Sequence, residues 1–261
     1  MVRPEEVMFP SRKERFEDRR KERQQRKLVD EFFDHATLLA ISHLVTQGQF
    51  DTLDYPISTG KEGGVFRASG RAGFRAVKVY RIGNAVFRRL PAYAVEELRR
   101  EGSVHNYPRM IYAWTRREHS VLRRLRAAGV RCPEPSGYFR NVLVMDFIGT
   151  PEGLPSPPLQ EVVVGDPDAL YRDLVDQVRR MVVDAKLVHG DLSPYNVLWH
   201  EETPVLIDVA SAVASDHPIA RSLLERDVGH FARYLKRLGV DTSPSTFLAA
   251  VGAESVGPKE A

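Results

Sequence analysis

Apolar residues along this 261-residue chain recur with two different periods, and the change of period divides it. From Leu28 to Phe50, the residues Phe32, Phe33, Ala36, Leu39, Ala40, His43 and Leu44 fall near one face of a helix, and Gly48 stops the pattern. Between Asp51 and Phe147 the apolar runs shorten. Val65 to Ala68, Arg75 to Tyr80 and Val142 to Phe147 read as strands bounded by Gly, Ser, Arg and Asn turns. Inside that stretch Met110 to Ala128 returns to helical spacing and ends at Gly129, which suits the left-handed position after a helix. Beyond Gly149, Pro151, Pro155, Pro157 and Pro158 lead into helices predicted at about Pro167 to Ala185 and Pro218 to Leu238. The pattern predicts an α+β protein: an arm over 1–27, a helical extension over 28–50, a small sheet-rich lobe over 51–148 and a mainly helical lobe over 149–261. No repeat of the solenoid type is visible.

Composition changes this picture little. A hydrophobic fraction of 43% with 28% charged residues is ordinary for a soluble globular protein. The chain has no apolar run of roughly eighteen residues, and charge begins at Arg3, so neither a membrane span nor a secretory segment is expected. The cytosol is the expected compartment. Cys132 is the single cysteine, which excludes an intrachain disulfide framework and a cysteine-built zinc site. Its proline-bounded surroundings, Val130-Arg131-Cys132-Pro133-Glu134-Pro135, favour a structural role over a nucleophilic one.

Charge is unevenly placed despite a net value of only +3. Between Ser11 and Lys27 nine basic residues face four acidic ones. Such an arm suits a phosphate backbone, because each neutralised phosphate releases condensed counterions. It equally suits a solvated, partly helical tail whose acids pair with its bases.

The chemistry concentrates in Leu187-Val188-His189-Gly190-Asp191-Leu192-Ser193-Pro194-Tyr195-Asn196, followed by the apolar run Val205-Leu206-Ile207 that ends in Asp208. Mg²⁺ takes oxygen ligands and usually only one or two from the protein, with phosphates and water supplying the rest. Asn196 and Asp208 can supply those two, leaving Asp191 to accept a hydroxyl proton or orient the attacking oxygen. A loop merely capped by Asp191 and Asn196 is the bland alternative, and the three-part spacing weighs against it.

This loop is similar to that of the protein-kinase-like superfamily, in which phosphoryl transfer also needs a strand lysine and a helix glutamate. Ala76-Val77-Lys78-Val79-Tyr80 supplies the lysine in a strand-like context. The Met110 to Ala128 helix supplies the partner, because Glu118 lies within the apolar stripe of Trp114, Val121, Leu122 and Leu125. An unpaired charge buried there would be strongly unfavourable, and pairing with Lys78 resolves it. Upstream, Ile57-Ser58-Thr59-Gly60-Lys61-Glu62-Gly63-Gly64-Val65-Phe66 is a glycine-bearing turn that runs into a strand and lets backbone N–H groups approach phosphates. It has neither the Walker A spacing nor the three-glycine pattern of ordinary protein kinases.

Together, Ser58-Thr59-Gly60-Lys61-Glu62, His189-Gly190-Asp191-Leu192-Ser193 with Asn196, and Ile207-Asp208 resemble the motifs of the RIO family of atypical serine/threonine kinases, over roughly Leu28 to Leu238. Tyr55-Pro56-Ile57, the Trp114 helix, Met145 to Gly149 and Asp216-His217-Pro218 are similar to its type-one subgroup, although Gly190 stands where that subgroup often has alanine and Ser211 where it has glutamine. The resemblance implies a protein-kinase-like two-lobe fold that binds ATP with Mg²⁺, or Mn²⁺ in its place. It further implies catalysis by Asp191, Lys78 and Asp208, with an aspartyl-phosphate at Asp208 open to the enzyme, and metal ligation by Asn196 and Asp208. For nucleotide contacts it implies Ser58, Thr59, Gly60, Lys61, Glu62, Val65, Lys78 and Glu118, with the adenine held at a Met145 to Gly149 hinge by the backbone of Asp146 and Ile148. Arg81 to Arg109 would be the subgroup's flexible loop, and Glu225-Arg226-Asp227 would lie on the helix that supports the catalytic loop. No Asp-Phe-Gly or Ala-Pro-Glu segment follows Asn196, and Ser193 replaces the lysine of conventional protein kinases, so no activation segment is expected. The partner implied is a late precursor of the small ribosomal subunit or its RNA. Two rival readings share the loop: a small-molecule phosphotransferase of the aminoglycoside or choline kinase type, and a catalytically silent nucleotide-binding scaffold on RNA. The first usually carries acidic helical insertions in its second lobe, whereas only about fifty residues follow Asp208 here.

Overall fold

The computed structural model describes residues 32–60, 62–82, 93, 95 and 107–258. The basic arm, Lys61 and most of the span from Arg81 to Arg109 lie outside the described residues.

The first described helix, α1 (His35–Thr46), starts at Asp34, whose carboxylate accepts the Thr37 N–H at 2.7 Å, and ends where Gly48 turns to φ +73°. It is shorter than the predicted helix and is rotated. Its buried positions are Thr37, Ala40 and Leu44, while Leu39 and His43, expected on the apolar face, are exposed. Thr37 is drawn inward by the buried Asn141 amide, which donates to its hydroxyl at 2.8 Å and to the Tyr80 carbonyl.

Five antiparallel strands follow in the spatial order β1-β2-β3-β5-β4: β1 (Thr52–Thr59), β2 (Gly63–Gly70), β3 (Gly73–Tyr80), β4 (Pro135–Phe139) and β5 (Val142–Asp146). The three interior strands are those the apolar pattern predicts. β1 and β4 escape it because they are edges, where Pro56, Pro135 and Gly137 are tolerated and only one neighbour must be satisfied. Ser58 and Thr59 consequently lie on a strand, and the turn itself narrows to the residues between Thr59 and Gly63.

The two-residue period of the strands sorts the side chains. Phe66, Ala68, Val77, Val79, Val142 and Val144 form a core with Phe32, Ala40 and Leu44 beneath α1. Ala76, Lys78, Leu143 and Met145 therefore face the other way, where Ala76, Leu143 and Met145 join the core of the second lobe. Across that face runs α2 (Tyr107–Ala127), with Trp114, Glu118, Val121, Leu122 and Leu125 all buried. Gly129 follows it at φ +74°. Cys132 sits buried beside this helix, and burial pushes its thiol up to about 12, which fits a structural cysteine.

The second lobe begins after the hinge. α3 (Pro167–Arg179) is capped by Asp166, buries Leu170, Leu174 and Val178, and continues into a single π turn over Arg180–Asp184. Short strands β6 (Leu187–Val188) and β9 (Val213–Ala214) pair, as do β7 (Val197–His200) and β8 (Thr203–Leu206), and these pairs frame the predicted chemical loop. α4 (Ala220–Arg237) packs behind that loop, and α5 (Pro244–Ala250) closes the chain against it through Phe247. α5 has a readable start signal in Ser243-Pro244, whose hydroxyl accepts the Thr246 N–H, but it is too short for periodicity to reveal.

Candidate active site

Lys78 comes from the central strand of the sheet and Glu118 from the middle of α2, and they meet with Lys78 Nζ donating to Glu118 Oε1 at 2.8 Å. The same ammonium donates to Asp208 Oδ1 at 2.7 Å, so one cation ties the sheet, the helix and the end of β8 together. Burial alone would lower the Lys78 pKa, but the Asp208 and Glu118 carboxylates raise it well above the ordinary lysine value, and it stays cationic. Burial raises Glu118 against the pull of Lys78, whereas Lys78 holds Asp208 below the usual carboxylate range. Tyr80, two residues beyond Lys78 on the same face, donates its hydroxyl to Glu118 Oε2. No sequence motif singles out Tyr80, although the strand period alone aims it there.

Asp208 has left-handed backbone angles, φ +59° and ψ +55°, a costly conformation for a non-glycine residue. The surroundings impose it. The Ile207 N–H donates to the Asn196 carbonyl at 3.0 Å, and the buried His189 ring meets the Ile207 carbonyl through Nε2 at 3.1 Å. Burial lowers the His189 pKa and favours the neutral ring. Asn196 Nδ2 donates to the Asp191 backbone carbonyl at 2.7 Å and to its carboxylate at 3.2 Å. Loop and strand end are thus pinned to one another, with Asp191 exposed at the mouth.

α4 supports the loop from behind. The Gly190 N–H donates to Asp227 Oδ2 at 2.8 Å, the Arg226 guanidinium donates to the Gly190 carbonyl, and His230 Nδ1 lies 3.3 Å from the Leu192 carbonyl. Gly190 is at φ +77°, and a Cβ there would come within 2.8 Å of the Ser211 carbonyl. The two positions at which this chain departs from the type-one pattern therefore touch one another.

Asp227 is only 1% exposed, and burial pushes its pKa to about 7 against the pull of the Gly190 N–H and Arg226. Because this exceeds the unfolded value of 3.8, the native state holds the extra proton, and the associated stability is present below pH ~4 and lost as pH rises through ~7. Asp227→Asn should flatten the decline of unfolding free energy over that window, by up to ~4 kcal/mol, since each tenfold change in proton affinity is worth ~1.4 kcal/mol. Denaturant melts of both proteins from pH 4 to 8 check this, and parallel curves would contradict it.

The groups open onto two adjoining cavities of about 230 and 250 Å³ that share Ser58, Val65, Lys78 and Asp208. Glu118, Met145, Asp146, Ile148 and Asn196 line the first, between the lobes, and Gly60 and Glu62 line the second, beneath the β1–β2 hairpin. A Cβ at Gly63 would collide with the Val79 carbonyl, so the hairpin can lie this close to β3 only with glycine there. Thr59 lines neither cavity, since it sits opposite Gly64 on the edge strand and is exposed. Asp191 also lines neither, being at the rim. Apolar walls unpredicted from sequence come from Ile57, Ala76, Leu122, Leu198 and Ile207.

At the hinge, the Asp146 N–H donates to the Glu134 carbonyl at 2.9 Å and the Ile148 carbonyl accepts from the Ser156 N–H at 3.0 Å. Those two groups are engaged within the protein, while Asp146 and Ile148 both line the first cavity. Among the described residues no group of three or more His, Cys, Asp or Glu side chains gathers that could hold a metal. Asn196 and Asp208 are two oxygen-bearing side chains on one cavity wall, which matches the small protein share of a phosphate-bound Mg²⁺.

Comparison with known proteins decides the family. The RIO domain model matches residues 64–247. The chain belongs to the RIO family. It is 40% identical over 227 residues to the RIO-type serine/threonine-protein kinase Rio1 of Haloferax volcanii, covering 87% of this chain and 78% of that protein. It is 30% identical to Rio1 of Methanocaldococcus jannaschii, over 94% of this chain and 84% of that one. With human serine/threonine-protein kinase RIO1 it is 36% identical over 84% of its length, but spans only 39% of the human protein. Among solved structures, the Rio2 kinase of Chaetomium thermophilum, as an ADP/Mg²⁺-phosphoaspartate complex, superimposes with a TM-score of 0.64 at 23% identity, covering 85% of this chain and 66% of that one. The fold is the protein-kinase-like fold of RIO kinases.

Proposed function

We propose that this RIO-family chain binds Mg-ATP between its lobes and moves the γ-phosphoryl group to a serine or threonine hydroxyl or to water. The observation that carries this reading is Lys78 held between Glu118 and Asp208 at 2.8 and 2.7 Å at the junction of the two cavities. In the transfer, the acceptor oxygen bonds to the γ-phosphorus, the bond from that phosphorus to the β–γ bridging oxygen breaks, ADP leaves and the acceptor proton passes to Asp191. Lys78 binds phosphate oxygens, Ser58, Gly60 and Glu62 of the hairpin cover them, and the backbone at Asp146 and Ile148 meets the adenine edge. Asn196, through Oδ1, and Asp208 would hold Mg²⁺, which neutralises charge on the phosphates when bound. A γ-phosphate release assay with and without a serine-containing protein acceptor tests the reading, and loss of both activities would overturn it.

The partner we propose is small-subunit ribosomal RNA or its precursor particle, reached in the cytosol through the arm from Ser11 to Lys27. The support is compositional, nine basic residues against four acidic. Binding to such RNA should fall steeply with salt, with a log-log slope of roughly −0.7 to −0.9 per neutralised phosphate. Deleting the arm should flatten that slope and leave RNA-free ATP turnover intact. Titrations at several salt concentrations check this, and identical slopes would reduce the arm to a solvated tail.

A further inference from the structure

A second groove, of about 620 Å³, lies on the far side of Tyr195 from the nucleotide cleft. Tyr195 is 64% exposed and lines both, so the two spaces meet at the loop that carries Asp191. The other wall is α4, along which Arg226, His230, Arg233 and Arg237 recur at intervals of four, three and four residues and so share one helical face. Lys236 lies beside them. Arg226, Arg233, Lys236 and Arg237 are all exposed, and Arg226 donates to the carbonyl immediately before Asp191. Of the two acids on α4, Glu225 pairs with Arg221 at 2.8 Å and the buried Asp227 pairs with Arg226 at 3.8 Å, so neither pairs with Arg233, Lys236 or Arg237, which line the groove. The groove floor is mainly apolar, with Pro194, Tyr195 and Tyr234.

We propose that this groove docks an acidic segment of a polypeptide and thereby presents that polypeptide's serine or threonine hydroxyl to Asp191. The inference rests on the phosphoryl-transfer reading above and names its substrate class. The eleven helical steps from Arg226 to Arg237 span about 16 Å at about 1.5 Å each, which an extended peptide covers in roughly five residues. The acidic residues should thus lie within about five positions of the acceptor. Between Asp208 and α4 the chain makes only the Val209–Ser211 turn and β9, so the usual peptide platform of protein kinases is missing and α4 supplies the surface beside the loop. The short apolar floor favours a peptide with an apolar residue among its acids over a phosphate backbone, which would need a longer cationic track.

The test uses the full chain and three synthetic serine peptides whose flanking positions, two to five residues on each side of the serine, are acidic, alanine or lysine. The acidic peptide should bind most tightly by fluorescence anisotropy and show the highest kcat/KM. Arg233→Glu with Arg237→Glu should raise its KM by about tenfold or more, because attraction becomes repulsion at both positions, and shift preference to the lysine peptide. KM for ATP and peptide-free ATP hydrolysis should not move. Equal binding of the three peptides, indifference to the charge reversal, or competition only by an RNA oligonucleotide would each overturn the groove's assignment. An acidic peptide that binds through Arg233 and Arg237 without receiving phosphate would overturn the kinase reading instead.

Discussion

Asp191→Asn should reduce γ-phosphate turnover by about 10²- to 10⁴-fold, the usual contribution of a positioned general base, while Mg-ATP affinity stays within a few-fold. The geometry separates the two effects. Asp191 stands at the rim and lines neither cavity, so its carboxylate has little to give to ground-state binding. The loop should survive the change, because Asn196 Nδ2 is held at 2.7 Å by the Asp191 backbone carbonyl, which the substitution leaves in place. Asp208→Asn should behave oppositely. Its carboxylate lines both cavities and accepts from Lys78, so its loss should weaken metal-dependent nucleotide binding. Calorimetric titration of Mg-ATP alongside single-turnover rates distinguishes the two variants. Wild-type turnover in Asp191→Asn would remove it from the chemistry.

Lys78→Ala and Glu118→Ala should each cut turnover by about 10²-fold or more, and the double variant should be little worse than either, because neighbours in one charge network do not contribute independently. Glu118 is 2% exposed in its side chain and Lys78 12%, so neither charge can be rescued by water when its partner goes. Without Glu118, Lys78 still has Asp208, but nothing fixes its position between the two carboxylates. Without Lys78, Glu118 keeps only the Tyr80 hydroxyl and should take up a proton at higher pH. Losses that add fully in free energy in a double-variant cycle would show that the pair does not act as a unit.

What could be read from the chain depended on how locally each feature is encoded. The interior strands, α2 and the ends at Gly48 and Gly129 follow from period and from single residues whose backbone angles no other residue adopts cheaply. The edge strands β1 and β4 carry no such pattern, because one open side relaxes both composition and burial. The rotation of α1 was hidden for a different reason: a buried threonine, held by Asn141 more than a hundred residues away, outranks two leucines in setting the inward face. In the site, the polar residues with chemical roles could be named from motif and spacing, but two kinds of neighbour could not. Tyr80 and His230 act through contacts between distant segments, whereas Arg226 and Asp227 behind the loop were reachable only through the family resemblance, and the apolar cavity walls look like any other core residues in sequence.

Following the γ-phosphate of labelled ATP on the purified full chain tests the central claim most directly. With Mg²⁺ present, label should leave ATP and appear on serine or threonine of a protein acceptor or as free phosphate, and it should remain in ATP when the metal is chelated. Label that stays in bound, intact ATP under all conditions would make the chain a nucleotide-binding scaffold, and label delivered to an amino alcohol or aminoglycoside but not to protein or water would make it a small-molecule phosphotransferase.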